Sequence, residues 1–444
     1  MTQKTQDLWN TVSPLLKQWD FRNRAKERPV DFTRERKIGF VGVVSIIFNL
    51  VRRSTQLEWD DFRERFFPKQ EVATSYTQQS FAEARQKLRP EAFTWLNEAF
   101  IDRYYAEPDY QTFHGFRVLA VDGCVAELPD SADVREVYGV AKAQGGFTVA
   151  RARTSQLFDV ENHITLDAIL APYRTGERDL ARQHMDALRC RASAKIPTII
   201  LFDRGYPSLA LIVYLLHYGF HFLMRVSTGF YPQIVGTAAS HETVTLRLSA
   251  AQARALQQQG VDVAAGTAIS LRVLKVVLPS GQMETLVTDL TPMELPAEQG
   301  SALYFQRWGI ETHDGQDKHT LEIENFSGFT PRVIAQDYHA TILFSNLAAV
   351  IRQDAQAAWE ATRDQLHRKY DQDRINFNLL IGKLKYRLLG ILLESNLSKQ
   401  LTRYERLIAI LVRYIVPVIP GRKAPRRKKR RKTNKYAITM RRCL

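Results

Sequence analysis

Periodic apolar residues divide the chain into a helical beginning, a mixed middle and a helical end. Apolar side chains recur every three or four positions through much of residues 1–110, which predicts a helical region. Two mainly apolar runs, 116–121 (with Arg117 as its one charged residue) and 198–202, predict buried strands instead. Helical spacing returns at 335–351, and residues 355–416 are predicted to be mostly helical.

The middle of the chain alternates strand-like and helix-like segments, which favours an α/β fold. Strands are predicted at 147–160, 164–171 and 220–226, and helices at 176–191 and 208–217. Glycine-containing turns separate a second group of strand-like segments at 243–248, 268–278 and 285–289. One helical patch, 250–259, lies among them.

Two aspartates stand at the predicted ends of the two buried runs. Asp122, followed by Gly123, ends the first run, and Asp203 ends the second. Binding sites in open α/β sheets collect at the carboxyl ends of strands, so these two acids are expected to meet. Taken alone, such an aspartate is more often a turn residue or a helix cap. We prefer that interpretation for Glu177 and Asp179, because acids are favourable at a helix start.

A third group of candidate residues lies in the segment YFQRWGIETHDGQDK, residues 304–318. Tyr304, Arg307, Glu311 and Lys318 are offset by three, seven and fourteen residues. Since each residue of an α-helix turns by about 100°, all four side chains would point within roughly 60° of one another. The pattern alone is more typical of a solvated amphipathic helix face than of a site.

The three acids together suggest phosphoryl chemistry. Two strand-end aspartates and a glutamate on a helix could hold a pair of divalent metal ions, which promote in-line displacement at phosphorus. Carboxylates suit Mg²⁺ because it prefers hard oxygen ligands. Arg307 and Lys318 could then neutralise a phosphate backbone, while the Tyr304 phenol donates a hydrogen bond.

This combination resembles the DDE transposases of the insertion-sequence 4 (IS4) family. The family's carboxylate triad falls on Asp122, Asp203 and Glu311. Its Y-(2)-R-(3)-E-(6)-K signature falls, with the spacing intact, on Tyr304, Arg307, Glu311 and Lys318. The resemblance extends from about 75 to 390, and includes the neighbouring residues at 177–181, 203–206 and 324–328.

The resemblance implies an α/β fold with an RNase H-like catalytic core, interrupted by a β-rich insertion domain and flanked by helical N- and C-terminal regions. The implied domains are a helical DNA-end-binding region (1–110), the first part of the core (111–226) and the β-rich insertion (227–298). The signature helix and the helix after it (299–354), a helical C-terminal region (355–420) and a disordered basic tail (421–444) follow.

The resemblance also implies a function. The chain would excise an insertion sequence by 3′-end nicking and transfer the freed strand into target DNA, with two Mg²⁺ ions, or Mn²⁺ in their place, on Asp122, Asp203 and Glu311. Tyr304, Arg307 and Lys318 would bind DNA. The implied partners are the terminal inverted repeats, target DNA and a second copy of the chain in a synaptic complex, with no membrane. The implied place is the bacterial cytoplasm, at the nucleoid.

Two alternatives stay open: a metal-dependent nuclease of the same fold without strand transfer, and a catalytically inactive DNA-binding relative. The route of excision is also open. Related transposases form a DNA hairpin with the help of an aromatic residue, but no Trp lies between Asp203 and Tyr304, and the nearest counterpart in position is Met283.

Composition limits the other classes of protein. The chain has 444 residues, 45% of them hydrophobic, which is enough for more than one packed core. Three cysteines without a CxxC pair argue against a disulfide framework or a zinc site. His313, two residues after Glu311, is interpreted as a bystander that takes no part in the site. The apolar runs 38–51 and 209–224 are too short to span a membrane.

Positive charge is concentrated at the C-terminus. The formal net charge is +15, and residues 421–444 contain twelve Lys and Arg and no acid, which leaves +3 for residues 1–420. The run RRKKRRK at 426–432 is predicted to be disordered when free and to hold DNA without sequence preference. A solubilising tail is the alternative.

Deletion of residues 421–444 is therefore expected to weaken nonspecific DNA binding and to flatten its dependence on salt, because fewer counterions are released. Titration of plasmid DNA at several salt concentrations measures both effects. An unchanged salt slope would favour the solubilising tail.

Overall fold

The computed structural model describes residues 1–33, 38–66, 77–142, 146–237, 241–277, 281, 283–363 and 372–419. Within them, helices from both ends of the chain pack around a mixed sheet, so the predicted α/β class is confirmed. The basic tail at 421–444 lies outside the described residues. None of the described helices combines the length and the apolar character that crossing a bilayer would need.

The N-terminal region is helical, as predicted. The side chains of Thr2 and Thr77 accept hydrogen bonds from the backbone N–H groups of Thr5 and Ser80, which is the chemistry expected at helix starts. The helices are α1 (Gln3–Leu15), α2 (Trp19–Ala25), α3 (Phe40–Phe48), α4 (Thr55–Phe66), α5 (Gln78–Arg85) and α6 (Glu91–Tyr104).

Nine of the described strands form one sheet in the order β2-β3-β1-β5-β6-β9-β8-β7, with β4 also paired to β3. The first six strands are β1 (Arg117–Glu127), β2 (Val140–Lys142), β3 (Thr148–Asp159), β4 (Ile164–Pro172), β5 (Thr198–Phe202) and β6 (His221–Val226). The helices between them are α7 (Ala132–Tyr138), α8 (Glu177–Arg189) and α9 (Leu209–His217). Strands β1, β5 and β6 are parallel, and the other pairs are antiparallel.

One predicted strand end is wrong. The first buried run does not stop at Asp122, because β1 continues through Gly123 to Glu127. The reason is tertiary: β3 remains paired to β1 over this whole stretch, with Asp122 opposite Gln156. An Asp-Gly pair favours a turn locally, but a long antiparallel partner keeps the backbone extended here.

The predicted β-rich insertion domain is not confirmed. Its described elements are α10 (Pro232–Val235), β7 (His241–Arg247), α11 (Ala250–Gln257), β8 (Ala268–Val277) and β9 (Met283–Thr288). The strands continue the central sheet, since β9 pairs with β6 and β8 pairs with β9.

The rest of the chain is mainly helical. It contains α12 (Ala297–Phe305), α13 (Trp308–His319), α14 (Pro331–Arg363), α15 (Phe377–Leu384), α16 (Arg387–Leu392), α17 (Leu397–Leu411) and the short paired strands β10 (Asp373–Ile375) and β11 (Ile415–Pro417). Helix α14 packs on β4 and also contacts α3 and α6. Its buried side chains Leu343, Phe344 and Leu347 belong to the main hydrophobic core.

A buried ion pair joins the N-terminal region to α14. Arg85 donates to Asp337 at 2.9 Å, to Gln336 at 2.9 Å and to the Ser327 hydroxyl, and both members of the ion pair are only 3% exposed. Gln336 in turn donates to the Arg85 and Leu88 carbonyl groups. The helix that carries Arg85 is therefore held by the core through buried charge.

Replacing Arg85 with Met is expected to lower the free energy of unfolding by about 3–5 kcal/mol, because Asp337 would stay buried without its counter-ion. Denaturant unfolding measures the loss. The matched control is Arg89→Met, since that side chain is 47% exposed and lies 3.9 Å from Glu27; its loss should be about 1 kcal/mol or less. Equal losses in the two variants would contradict the structural role of the buried pair.

Candidate active site

Asp122 lies on β1, and Asp203 directly follows the neighbouring parallel strand β5. The register of β1 and β5 runs from Arg117 opposite Thr198 to Ala120 opposite Leu201. Continued by two residues, it places Asp122 beside Asp203, at an interstrand distance of about 4.8 Å. The predicted meeting of the two aspartates at this point of the sheet agrees with that register.

The helix pair α12 and α13 covers the same face of the sheet. Side chains alternate between the two faces of a strand, so Asp122 shares a face with Val118 and Ala120, and Asp203 shares it with Ile199 and Leu201. These four apolar residues form a buried cluster with three residues of the two helices: Leu303, Tyr304 and Ile310. Glu311 follows Ile310 directly, so the third acid reaches the same region from the helices.

The pKa of the Asp122 carboxyl reflects its burial and the nearby charges of the other two acids. The pKa of this carboxyl is raised to about 6, chiefly by burial; the negative charges of Asp203 and Glu311 act in the same direction, and the Gly123 N–H and Arg307 act against it. Three carboxylates from distant parts of the sequence therefore lie within electrostatic reach of one another.

Each of the three carboxylates has a contact within the protein. Asp122 accepts from the Gly123 N–H at 2.8 Å, Asp203 accepts from the Gly205 N–H, and Glu311 accepts from Arg307 at 2.7 Å. Within the described parts of the chain, no three His, Cys, Asp or Glu side chains are arranged to hold a metal ion. The acids thus converge without forming a closed set of ligands. Their donor type, carboxylate oxygen, fits a hard divalent cation.

Arg307 lies at a break in the helix that the spacing predicts to be continuous. Helix α12 ends at Phe305 and α13 begins at Trp308. Tyr304 therefore lies on α12, Arg307 in the turn, and Glu311 and Lys318 on α13. Arg307 is 6% exposed, and its Nε has no hydrogen-bond partner among the residues that the structure describes. Burial opposes its charge, but the surrounding acidic groups outweigh burial and raise the pKa of Arg307.

Tyr304 and Lys318 occupy different surroundings. Tyr304 is 7% exposed, and burial raises the pKa of its phenol to about 12, so the hydroxyl keeps its proton at neutral pH. Lys318 lies at the other end of α13, where its ammonium group donates to the Val125 carbonyl at 3.3 Å and lies 3.7 Å from Glu324. Lys318 is therefore bound to the protein at the far side of the acids from Tyr304.

The sequence pattern did not single out Asp314. It follows Glu311 by three residues, which places both on one side of α13. Burial raises the pKa of its carboxyl to about 8, with the charges of Asp317, Asp122 and Glu311 acting in the same direction. The spacing of three from Glu311 is the signal that could have identified it.

Gly123 and Glu177 define the opposite side of β1. A Cβ at Gly123 would lie 3.2 Å from the Thr154 carbonyl oxygen and 3.7 Å from the Tyr206 hydroxyl, so a larger residue would require a shift. Glu177 and Asp179 lie in the first turn of α8, but the prediction that they cap it is wrong, because no side chain among the described residues caps this helix start and the Glu177 carboxylate pairs with Arg153 at 2.6 Å. The residues around the two aspartates are therefore packed tightly on this side.

Comparisons with known proteins show the family of the chain. Residues 113–347, more than half of the chain, match the family model described as "Transposase DDE domain". The chain is also 30% identical over 177 residues to "Putative transposase InsZ" of Escherichia coli (strain K12), which covers 37% of this chain and 56% of that relative. The chain thus spans little more than half the length of this relative.

Among solved structures, the chain is similar to the one described as "Cryo-EM structure of piggyBac transposase synaptic complex with hairpin DNA". The TM-score is 0.44 and the identity 11%, over 95% of this chain and 88% of that chain. A likeness of this size does not by itself establish a shared fold. The match over residues 113–347 is the finding that decides: the chain belongs to the family of proteins that carry a transposase DDE domain.

Proposed function

We propose that this chain is a transposase of the IS4 group, which cuts DNA at the end of an insertion sequence and joins the freed 3′ end to target DNA. One observation carries the proposal. We place Asp122, Asp203 and Glu311, which come from three distant segments, at one face of the sheet, because the charges of Asp203 and Glu311 act on the Asp122 carboxyl. The membership of the DDE family supports the same chemistry.

The proposed cofactor is Mg²⁺, with Mn²⁺ able to replace it, held by Asp122, Asp203 and Glu311. A pair of such ions, when bound, would activate the attacking oxygen and stabilise the charge on the leaving oxygen. Burial, together with the charges of Asp203 and Glu311, raises the pKa of Asp122, and a divalent cation would favour the ionised carboxylate. Glu311 would have to share or exchange its contact with Arg307 to act as a ligand.

Arg307 and Tyr304 are the proposed contacts for the terminal phosphates. Among the residues that the structure describes, the Arg307 Nε–H has no hydrogen-bond partner, and a guanidinium can use its remaining donors for a phosphate. The Tyr304 hydroxyl stays protonated and can donate. Lys318 is also proposed to bind DNA, although this requires its ammonium group to turn from Val125 and Glu324.

The wider assembly follows the same proposal. The core would be RNase H-like, residues 1–110 would bind the element's end, and two copies of the chain would pair two ends. For a hairpin route, Met283 is the candidate that could enter the base stack. It is 61% exposed, beside Val277 on the facing strand, which is 64% exposed.

Replacing Asp122 with Asn is expected to reduce metal-dependent cleavage of DNA that carries the element's end by at least about a thousandfold, since a bound metal ion stabilises the transition state by several kcal/mol. Binding of the same DNA should stay within about twofold. The end sequence is taken from the inverted repeats that are expected to flank the gene. Asp102→Asn, at an exposed position of α6, is the matched control and should cleave normally.

The Asp122→Asn variant also has an expected effect on stability. The pKa of the Asp122 carboxyl is raised to about 6 in the folded chain, above its ordinary value near 3.9. Its ionised form therefore costs stability as the pH rises through that interval, and Asn removes the cost. At pH 7.5 the variant should unfold at the same temperature or higher. Normal cleavage by this folded variant would refute the proposed triad.

An assay for strand transfer separates the alternatives. The full chain is mixed with pre-cut end DNA, plasmid and Mg²⁺, and joined products are measured. Joining supports the transposase, cleavage without joining supports a nuclease, and end binding without either supports an inactive relative.

Replacing Arg307 with Ala is expected to weaken binding of end DNA by about 10- to 100-fold, because a hydrogen bond to a charged group contributes about 1.5–3 kcal/mol. Mn²⁺ binding should be retained, since the change removes a competitor for Glu311. The control is Arg254→Ala, at an exposed position of α11. Unchanged end-DNA affinity in Arg307→Ala would exclude the phosphate contact.

A further inference from the structure

A chain of buried hydrogen bonds joins α13 to the sheet beside Asp122. Gln156 on β3 donates its amide N–H to the Asp317 carboxylate at 3.0 Å. Thr165 on β4 donates its hydroxyl to the Gln156 amide oxygen at 3.1 Å, and His313 Nε2 lies 3.1 Å from the same hydroxyl. His313 and Asp317 are four residues apart on one face of α13. The hydrogen bonds therefore leave α13, pass through two strands and return to α13.

His313 is held firmly in this network. Its ring stacks on Phe158 with 4.1 Å between ring centroids and 17° between planes, and it is 6% exposed. Since the Thr165 hydroxyl donates to Gln156, it accepts from His313, which places the imidazole proton on Nε2. The prediction that His313 is a bystander does not account for these contacts.

The network continues into the rigid part of the core. The Thr165 N–H donates to Asn346 on α14 at 2.7 Å, and Asn346 donates to Asn97 on α6 at 2.7 Å. All three residues are buried. The orientation of the Gln156 amide is thus determined by elements that lie outside the candidate site.

Gln156 has a special position relative to the acids. It is the cross-strand partner of Asp122 in the β1–β3 ladder, so its backbone moves with that of Asp122. Its side chain reaches Asp317 at 3.0 Å and Asp314 at 3.4 Å on the helix that carries Glu311. Because α13 is separated from α12 by a turn, the path of α12 alone does not determine where Glu311 lies.

We propose that Gln156 is a positioning residue which sets the placement of Glu311 relative to Asp122, and that His313 and Thr165 hold the Gln156 amide in the required orientation. The inference rests on the proposed function, in which these two acids bind divalent metal ions. Residues that orient metal ligands commonly change metal affinity by about 10- to 100-fold when they are replaced. Gln156 would act on the metal only through the acids, without touching it.

The experiment titrates Mn²⁺ into the full chain and measures binding by calorimetry, alongside thermal unfolding and the Mg²⁺ concentration that gives half-maximal cleavage. Gln156→Met keeps the length of the side chain and removes its amide. It is expected to weaken Mn²⁺ binding by about 10- to 100-fold and to raise the Mg²⁺ midpoint by a similar factor. Binding of end DNA should not change, because Gln156 is 5% exposed.

The matched control is Gln400→Met. Gln400 is also 5% exposed, and its amide donates to the Ile391 carbonyl at 3.0 Å in the C-terminal helical region. This variant should lose a similar amount of thermal stability and bind Mn²⁺ like the wild type. If Gln156→Met lowers thermal stability but leaves Mn²⁺ affinity and the Mg²⁺ midpoint unchanged, its role is structural only and the inference is wrong.

If Gln156→Met does not fold, a variant with donor and acceptor exchanged between positions 156 and 317 tests the positioning role. Gln156→Glu alone places two carboxylates together and should weaken Mn²⁺ binding. Gln156→Glu combined with Asp317→Asn reverses donor and acceptor across the same contact, and the Thr165 hydroxyl can still donate to position 156. The double variant should recover Mn²⁺ affinity to within about threefold of the wild type. Failure of a folded double variant to recover would overturn the inference.

The result also distinguishes this inference from the proposed function. If the wild type binds Mn²⁺, Asp122→Asn does not, and Gln156→Met binds like the wild type, then the metal site stands and the positioning role fails. If the wild type neither binds Mn²⁺ nor cleaves end DNA, the proposed function fails and the inference fails with it.

Discussion

Burial of carboxylates at a helix–sheet interface is the constraint on which the rest of the site depends. Burial, with a smaller contribution from neighbouring acids, raises the pKa of Asp122 to about 6 and that of Asp314 to about 8. Such shifts mean that the interface disfavours the negative charge of these carboxylates. Arg307 and the Gly123 N–H offset part of this charge. The negative charge that these two groups do not offset is the physical reason for proposing a divalent cation there.

Backbone pairing determines the relative positions of Asp122, Asp203 and Gln156. The parallel pairing of β1 and β5 places the two aspartates level, and the antiparallel pairing of β1 and β3 places Gln156 opposite Asp122. The third acid has no such ladder, because it lies on α13 after a break in the helix. Its placement depends on side-chain contacts: the apolar packing of Ile310 and the buried hydrogen bonds of His313 and Asp317.

The segment after α13 links the site to the N-terminal helices. Arg52 donates to the Leu321 carbonyl at 2.7 Å, and Asn325 donates back to the Arg52 carbonyl at 2.9 Å. Arg85 contacts Ser327 a few residues further on. Two arginines from the helical region that is proposed to bind the element's end therefore hold the segment that follows the Glu311 helix. Asn325 and Ser327, both in the segment 324–328, thus have a structural role here.

The sequence by itself determined the class of fold, most of the strands and helices, and the residues that could carry the chemistry. The apolar pattern was sufficient for β5 and much of α14, and the spacing of Glu311 and Lys318 was sufficient to place both on one side of α13. These features are local, since each depends on residues a few positions apart.

Only the tertiary structure decided how β1 ends, where the helix breaks and what His313 does. Asp122 and Gly123 stay extended because β3 pairs with them from more than thirty positions away in the sequence. Strands β7, β8 and β9 join the central sheet through β6, which no local pattern could indicate. His313, Gln156 and Asp317 look unrelated along the chain, and their hydrogen bonds exist because folding buries them together, where polar groups without partners would be costly.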